Sequence, residues 1–290
     1  MNHIKTYLMA TMAAVFWGAN FNLARPVLAE MSPYIAGASR YVLAAAVMVL
    51  IAQIRKEAIP LREWKAYLTL GVVGVFGFNL LFFLGMETSS AINGALIMGL
   101  NPLLTAVLGY FILGDKPGSR QWLAFPVGIA GVAIVVLGAG AQLTISSGDI
   151  YLLIAAFNWA LYNVLVKKLM PANATGIANT AGIMTCGAMA LTIAAGVHGD
   201  SVVLPGMTAG TALLLMALGG GVLAYLFWNA SLARLGPSKA AIFMNLVPVT
   251  TMVIAAFEHR PPTHVQLIGA MLVISAVTFS SVSFSRVRQG

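Results

Sequence analysis

Charge is what this 290-residue chain has least of: 8% of its residues are Asp, Glu, Lys or Arg, against about 25% in soluble proteins. A water-soluble domain of this size would lack the polar surface to cover itself. A single cysteine, Cys186, excludes a disulfide framework and a cysteine metal site, and within an apolar run it reads as a small packing residue. All eight acids and all four histidines fall between apolar runs or at their ends, so no carboxylate or imidazole stands at mid-depth as a proton relay. The chain has no HExxH, GxSxG or P-loop and no pair of aspartates within an apolar run, which argues against an enzyme. No ring of charges or filter-like loop points to a channel. Neither a cofactor nor a metal is expected. The formal charge of +8 could suggest nucleic acid, but the basic residues are scattered singly and in pairs, so no nucleic-acid partner is expected.

What is present is apolar. Sixty per cent of the residues are hydrophobic, and nearly all the length falls into runs of about 20 residues, enough to cross a hydrocarbon core of about 30 Å as helix. The fold class expected is all-α: a polytopic protein of the lipid bilayer with ten transmembrane helices. Their estimated positions are 6–25, 34–54, 66–86, 90–113, 120–139, 149–168, 175–197, 209–233, 239–257 and 265–284. The first run has the length of a secretory signal, but no small-residue cleavage site follows it, so it reads as a retained helix. With a cytoplasmic amino terminus, Lys and Arg divide thirteen to two in favour of the cytoplasmic side. Arg25 and Arg260 lie outside, and Arg40 falls within a span. That asymmetry follows the positive-inside rule and places both termini in the cytoplasm.

The chain also repeats itself. WGANFN, from Trp17, aligns with WALYNV, from Trp159; Asn79–Pro102 aligns without a gap on Tyr225–Pro248. In the longer match Leu80, Ala95, Met98, Leu100 and Pro102 meet Leu226, Ala241, Met244, Leu246 and Pro248. LGDKPGSRQW then answers FEHRPPTHVQL. Five helices is an odd number, so the second copy enters the membrane from the opposite side. The expected domains are two inverted five-helix repeats, residues 1–143 and 144–290, around a central cavity.

Side-chain amides in hydrocarbon must face protein or water. Trp17 and Asn20 are three apart on one helical face, whereas Asn22 lies nearly opposite and is expected to bond a neighbouring helix. Trp159, Tyr162 and Asn163 form the equivalent face of the second copy. Asn79 and its counterpart Tyr225, with Trp228 and Asn229, extend an aromatic wall with a few amide anchors, suited to an amphipathic organic solute. Pro102 and Pro248 interrupt spans four and nine as candidate hinges, each expected to free a carbonyl that Asn101 or Asn245 could satisfy. Gly71, Gly74 and Gly77, and Gly219 to Gly221, would permit close helix contact. Arg40 is a candidate carboxylate contact.

Ten spans, the WGANF and WALYN openings, the NP and VP prolines and the acidic turn after each resemble the drug/metabolite transporter superfamily. Within it, the paired EamA-type repeats of amino-acid and metabolite exporters are most similar, and the likeness covers essentially the whole chain. The resemblance implies export of a small-molecule substrate, such as an amino acid, across a bacterial-type inner membrane. The lack of a buried carboxylate points to uniport by alternating access, or to proton coupling that is indirect. The alternatives are efflux of organic cations or drugs, sugar-nucleotide or sugar-phosphate antiport, and a channel-like pore. A single chain is expected to act as a monomer.

Overall fold

The computed structural model describes residues 3–116, 118–138 and 146–281. Ten helical rods follow one another: α1 (His3–Leu28), α2 (Pro33–Ile54), α3 (Leu61–Thr88), α4 (Ala91–Leu113) and α5 (Ser119–Gly138), then α6 (Ser147–Leu169), α7 (Gly176–His198), α8 (Met207–Leu235), α9 (Lys239–Phe257) and α10 (His264–Ser281). No strand occurs among the described residues. The expected spans match these rods to within a few residues; the ends expected at 139 and 284, and the 143/144 domain boundary, lie outside the described residues.

Local chemistry sets the ends. Ser32, Ser90, Ser146 and Thr175 each accept a backbone N–H in the first turn of the following helix, and Pro33 opens α2 where no N–H is needed. Left-handed residues close α2 and α7 (Lys56 and Gly199) and α4 and α9 (Gly114 and His259), so equivalent helices stop in the same way.

Among the described residues, seven helices (α2, α3, α4, α6, α7, α8 and α9) are long and apolar enough to cross a membrane. In α5 and α10 the apolar stretch is shorter, Trp122–Ile134 and His264–Ala276. The two asparagines of α1, Asn20 and Asn22, dilute its apolar run. Leu8, Met12 and Val15 of α1 and Ile150, Ile154 and Phe157 of α6 are exposed, as a lipid-facing surface requires.

The packing repeats with the chain. Helix α2 lies on α7 and α5 on α10; α1 packs on α8 and α9 as α6 packs on α3 and α4. Exchanging each helix for the one five places away returns the same set of partners. Tyr34 near the start of α2 stacks at 4.0 Å on His198 at the end of α7, while Thr175 before α7 bonds Glu57 after α2. Arg120 at the start of α5 sits 5.8 Å from the ring of Phe279 near the end of α10. The equivalent helices of these two pairs therefore run antiparallel, as an inverted repeat demands.

Four rods are not simple α-helices. Helix α3 winds as π-helix over Gly71–Gly77 and α8 over Met216–Leu223, at corresponding places in the two halves. In α4, Ala91–Met98 and Asn101–Leu113 are separate segments; in α9 the 3-10 turn Ile242–Asn245 precedes Leu246–Phe257. Pro102 and Pro248 stand in the first turn after these breaks. There a missing N–H breaks no helical bond, so the carbonyls expected to be freed by the prolines are not freed by them. The discontinuity precedes each proline.

Candidate functional site

A π turn closes i→i+5 bonds and is wider than an α turn, which leaves carbonyls approachable from the side. Three side chains from other helices take them. Trp17 Nε1 donates to the Gly220 carbonyl at 2.9 Å, Arg40 Nε to Met216 at 3.2 Å and the Tyr225 hydroxyl to Gly74 at 2.8 Å. The glycines make room for this. A Cβ on Gly74 would stand 2.1 Å from the Tyr162 ring, and one on Gly220 would stand 2.1 Å from the Asn20 amide.

An aromatic cluster joins the halves midway along α1 and α6. The Trp17 ring meets Trp159 at 5.0 Å, Trp228 at 5.2 Å and Tyr225 at 6.0 Å, each edge-on, and Trp159 stacks on Tyr162 at 5.0 Å. Beside it, Trp17, Asn20, Arg40 and Trp159 line a cavity with Phe21, Phe78, Phe82, Met98, Met244 and Val247. Its volume is about 20 Å³, room for about one water molecule. A hollow large enough for a solute was expected here; instead the rings fill it, because the five aromatic side chains of its wall, Trp17, Phe21, Phe78, Phe82 and Trp159, close on one another.

The larger cavity, about 320 Å³, lies where α6 and α8 end and α9 begins, lined by Asn163, Val166, Lys167, Asn229, Leu232 and Pro237 among others. That end of the bundle also carries Arg55, Lys56, Arg62, Lys65 and Lys168. A chain of bonds ties the two cavities. Trp228, in contact with Trp17, donates to Asn163 Oδ1 at 3.0 Å; Asn163 Nδ2 donates to Asn101 Oδ1 at 3.0 Å, and Asn101 Nδ2 donates to the Ala156 carbonyl at 3.1 Å. In parallel, Tyr162 donates to Asn229 Oδ1 at 3.1 Å and Asn229 Nδ2 to Thr180 at 3.2 Å.

Of the residues expected to bind solute, Trp17, Asn20 and Trp159 thus line the small cavity, with Arg40, and Asn163 and Asn229 line the large one. Tyr162, Tyr225, Trp228 and Asn101 stand behind these walls; Asn101 Nδ2 donates to the Ala156 carbonyl of α6, while its Oδ1 accepts from Thr105 one turn along α4. Asn245 is buried with no partner for Oδ1 and lines neither cavity. Asn22 bonds α9 through the Thr251 carbonyl, as its face implies. Asn79 is not wall: its Oδ1 accepts Arg40 Nη1 at 3.1 Å and its Nδ2 donates to Val75 at 2.8 Å. Phe21 and Met98 were missed as lining residues; an apolar residue in an apolar run carries no sequence signal for which one faces a cavity.

The ends of the bundle are tied differently. At the end remote from the large cavity, Ser32 donates to Asp200, His198 Nδ1 lies 2.9 Å from Asp200 and the Gly206 N–H donates to Glu30 at 2.6 Å. The Ser32 hydroxyl first, and His198 after it, hold the Asp200 carboxyl below its usual value. At the large-cavity end Lys167 pairs with Asp115 at 3.1 Å.

The profile of the EamA-like transporter family matches the chain twice, over residues 4–137 and 146–282. The uncharacterized transporter YyaM of Bacillus subtilis (strain 168) is 38% identical over 97% of this chain and 95% of its own. Proteins named probable amino-acid metabolite efflux pump are similar as well: one from Salmonella typhimurium at 27% identity (98% of this chain, 97% of that one) and one from Escherichia coli (strain K12) at 26% (94% and 93%). A crystal structure of a protein only 16% identical superposes over 97% of both chains with a TM-score of 0.72, so the fold is shared. Helical rods of membrane length, a doubled packing pattern and a profile that fits each half agree: the chain is a multi-pass membrane protein and belongs to the EamA-like transporter family.

Proposed function

We propose that this transporter exports small amphipathic metabolites, foremost amino acids with aromatic or other apolar side chains, by alternating access and as a uniporter. One observation carries the reading: Trp17 meets Trp159 and Trp228 between the matching π-helical segments of the two halves, next to a small, almost wholly apolar cavity whose lining residues include Asn20 and Arg40. Movement of one half (1–143) against the other (144–290), flexing at the breaks before Pro102 and Pro248, would open that cavity. The positive-inside rule puts both termini, and the large cavity, on the cytoplasmic side of a bacterial inner membrane. The state described is then closed outward and open to the cytoplasm as far as Asn163 and Asn229. The names of the Salmonella and E. coli relatives support amino-acid metabolites as the substrate class. No acid lines either cavity among the described residues, which supports uniport.

The test is counterflow of a labelled amino-acid panel with the purified chain in liposomes. Saturable, trans-stimulated exchange of phenylalanine, tryptophan or leucine is expected, and Trp17→Ala and Trp159→Ala should lower it about tenfold or more. Flux without saturation or trans-stimulation would mean a pore. Accumulation driven by a pH gradient alone would overturn uniport. Organic cations are a weaker second reading, because a guanidinium lines the small cavity.

A further inference from the structure

Arg40 stands two turns into α2 and is 2% exposed. A guanidinium so placed is strongly unfavourable without a counter-charge. Yet the ion pairs among the described residues are Arg55–Glu57, Lys167–Asp115, His198–Asp200 and Arg260–Glu258, and Arg40 is in none of them. Its Nε and Nη1 rest on the Met216 carbonyl and Asn79 Oδ1, both neutral, and the guanidinium carbon lies 5.1 Å from the centre of the equally neutral Tyr41 ring. Two further groups on the walls of the same cavity are buried and unpartnered: Trp159 Nε1, a donor, and Asn20 Oδ1, an acceptor. A cation and a donor without an acceptor describe the complement of a carboxylate; a lone amide oxygen describes the complement of an ammonium.

We infer that Arg40 is the seat of the transported solute's carboxylate, with Trp159 Nε1 as second donor and Asn20 Oδ1 facing the ammonium group. This rests on the reading of the chain as an amino-acid carrier and names the group that reading leaves open. Phe21, Phe78 and Phe82 would hold the apolar side chain. At about 20 Å³ the cavity must widen to admit it. Trp17, bonded to the π-helical Gly220 carbonyl, is the side chain whose release would do so. Asn79 is then a positioning residue, aiming the guanidinium from α3.

The full-length protein is tested in detergent by ligand-induced thermal shift and in liposomes by counterflow, with three probes: L-phenylalanine, 3-phenylpropanoate (carboxylate without amine) and L-phenylalaninamide (amine without carboxylate). The wild type should prefer the two carboxylates over the amide by about tenfold or more. Arg40→Gln should abolish that preference, and Arg40→Lys should keep part of it. If Arg40→Gln does not fold, Asn79→Ala keeps the charge while loosening its aim, and should weaken both carboxylates while leaving the amide unchanged. A purely structural Arg40 would alter stability without moving the ratio of acid to amide. Phenylalanine exchanged by a wild type that treats acid and amide alike would overturn the Arg40 seat and leave amino-acid transport standing. Phenylpropanoate bound without exchange of phenylalanine would do the reverse. Failure of all three probes would overturn both.

Discussion

At Gly220 the helix backbone lies so near Asn20 that a single methyl group decides whether both fit. A Cβ there would stand 2.1 Å from Asn20 Nδ2, and at Gly74 2.1 Å from Tyr162 Cδ2. Neither neighbour can move freely: Tyr162 is fully buried and bonded to Asn229, and Asn20 is 4% exposed. We expect Gly220→Ala and Gly74→Ala to destabilise the protein by about 1–3 kcal/mol each through overpacking. Gly196→Ala, with nothing within 4 Å of its Cβ, should be neutral or slightly stabilising. Thermal unfolding of the detergent-purified variants checks this, and equal midpoints for all three would refute it. At this scale the sequence was a fair guide to which face of a helix points inward, because a spacing of three put Trp17 and Asn20 together. It was a poor guide to partners. Asn79 reads as a cavity wall until its amide is seen holding Arg40, which is 39 residues away in the chain.

Among the elements, the π-helical stretches of α3 and α8 and the breaks in α4 and α9 separate this bundle from ten plain helices. The prolines were visible in the sequence, and so were the glycines, but not how the chain winds around them. A glycine run is compatible with α, π or close packing, and the choice falls to the side chains that reach its carbonyls, here Trp17, Arg40 and Tyr225. The prolines are expected to matter for motion more than for stability. The residue before a proline resists α geometry, so Pro102→Ala and Pro248→Ala permit continuous rods where breaks now stand. Both substitutions should slow counterflow severalfold while leaving ligand-induced thermal shifts near wild type. Exchange at the wild-type rate in both variants would move the hinge elsewhere, the π-helices being the next place to look.

For the whole molecule, alternating access needs ends that can be tied and released. The Ser32–Asp200–His198 cluster ties α2 to α7 at the end remote from the large cavity, with Tyr34 stacked on the imidazole. The Asp200 carboxyl is held below its ordinary 3.8, first by the Ser32 hydroxyl and then by His198. A carboxyl with a lowered folded value contributes stability that is present above the ordinary value and lost as pH falls through the lowered one. Asp200→Asn should therefore unfold at a lower temperature than wild type near neutral pH, with the gap closing as pH is lowered below 3.8. A gap independent of pH would show that the carboxylate's charge is not what holds this end. The inverted arrangement was legible at this scale by arithmetic alone, since an odd number of helices in each half reverses the second. Which helices meet was not legible, and the antiparallel pairing of α2 with α7 and of α5 with α10 emerges only in three dimensions.

The sequence by itself determined the spans, their ends and their duplication. Hydrocarbon leaves a chain no other way to satisfy its own backbone, and the capping serines, threonines and left-handed residues act within one turn. Tertiary structure alone decided that the central aromatics close on one another, that the glycine runs widen into π turns and that Arg40 lacks a counter-charge. Those outcomes depend on distances between residues as far apart as Trp17 and Gly220, which meet only when both halves are packed.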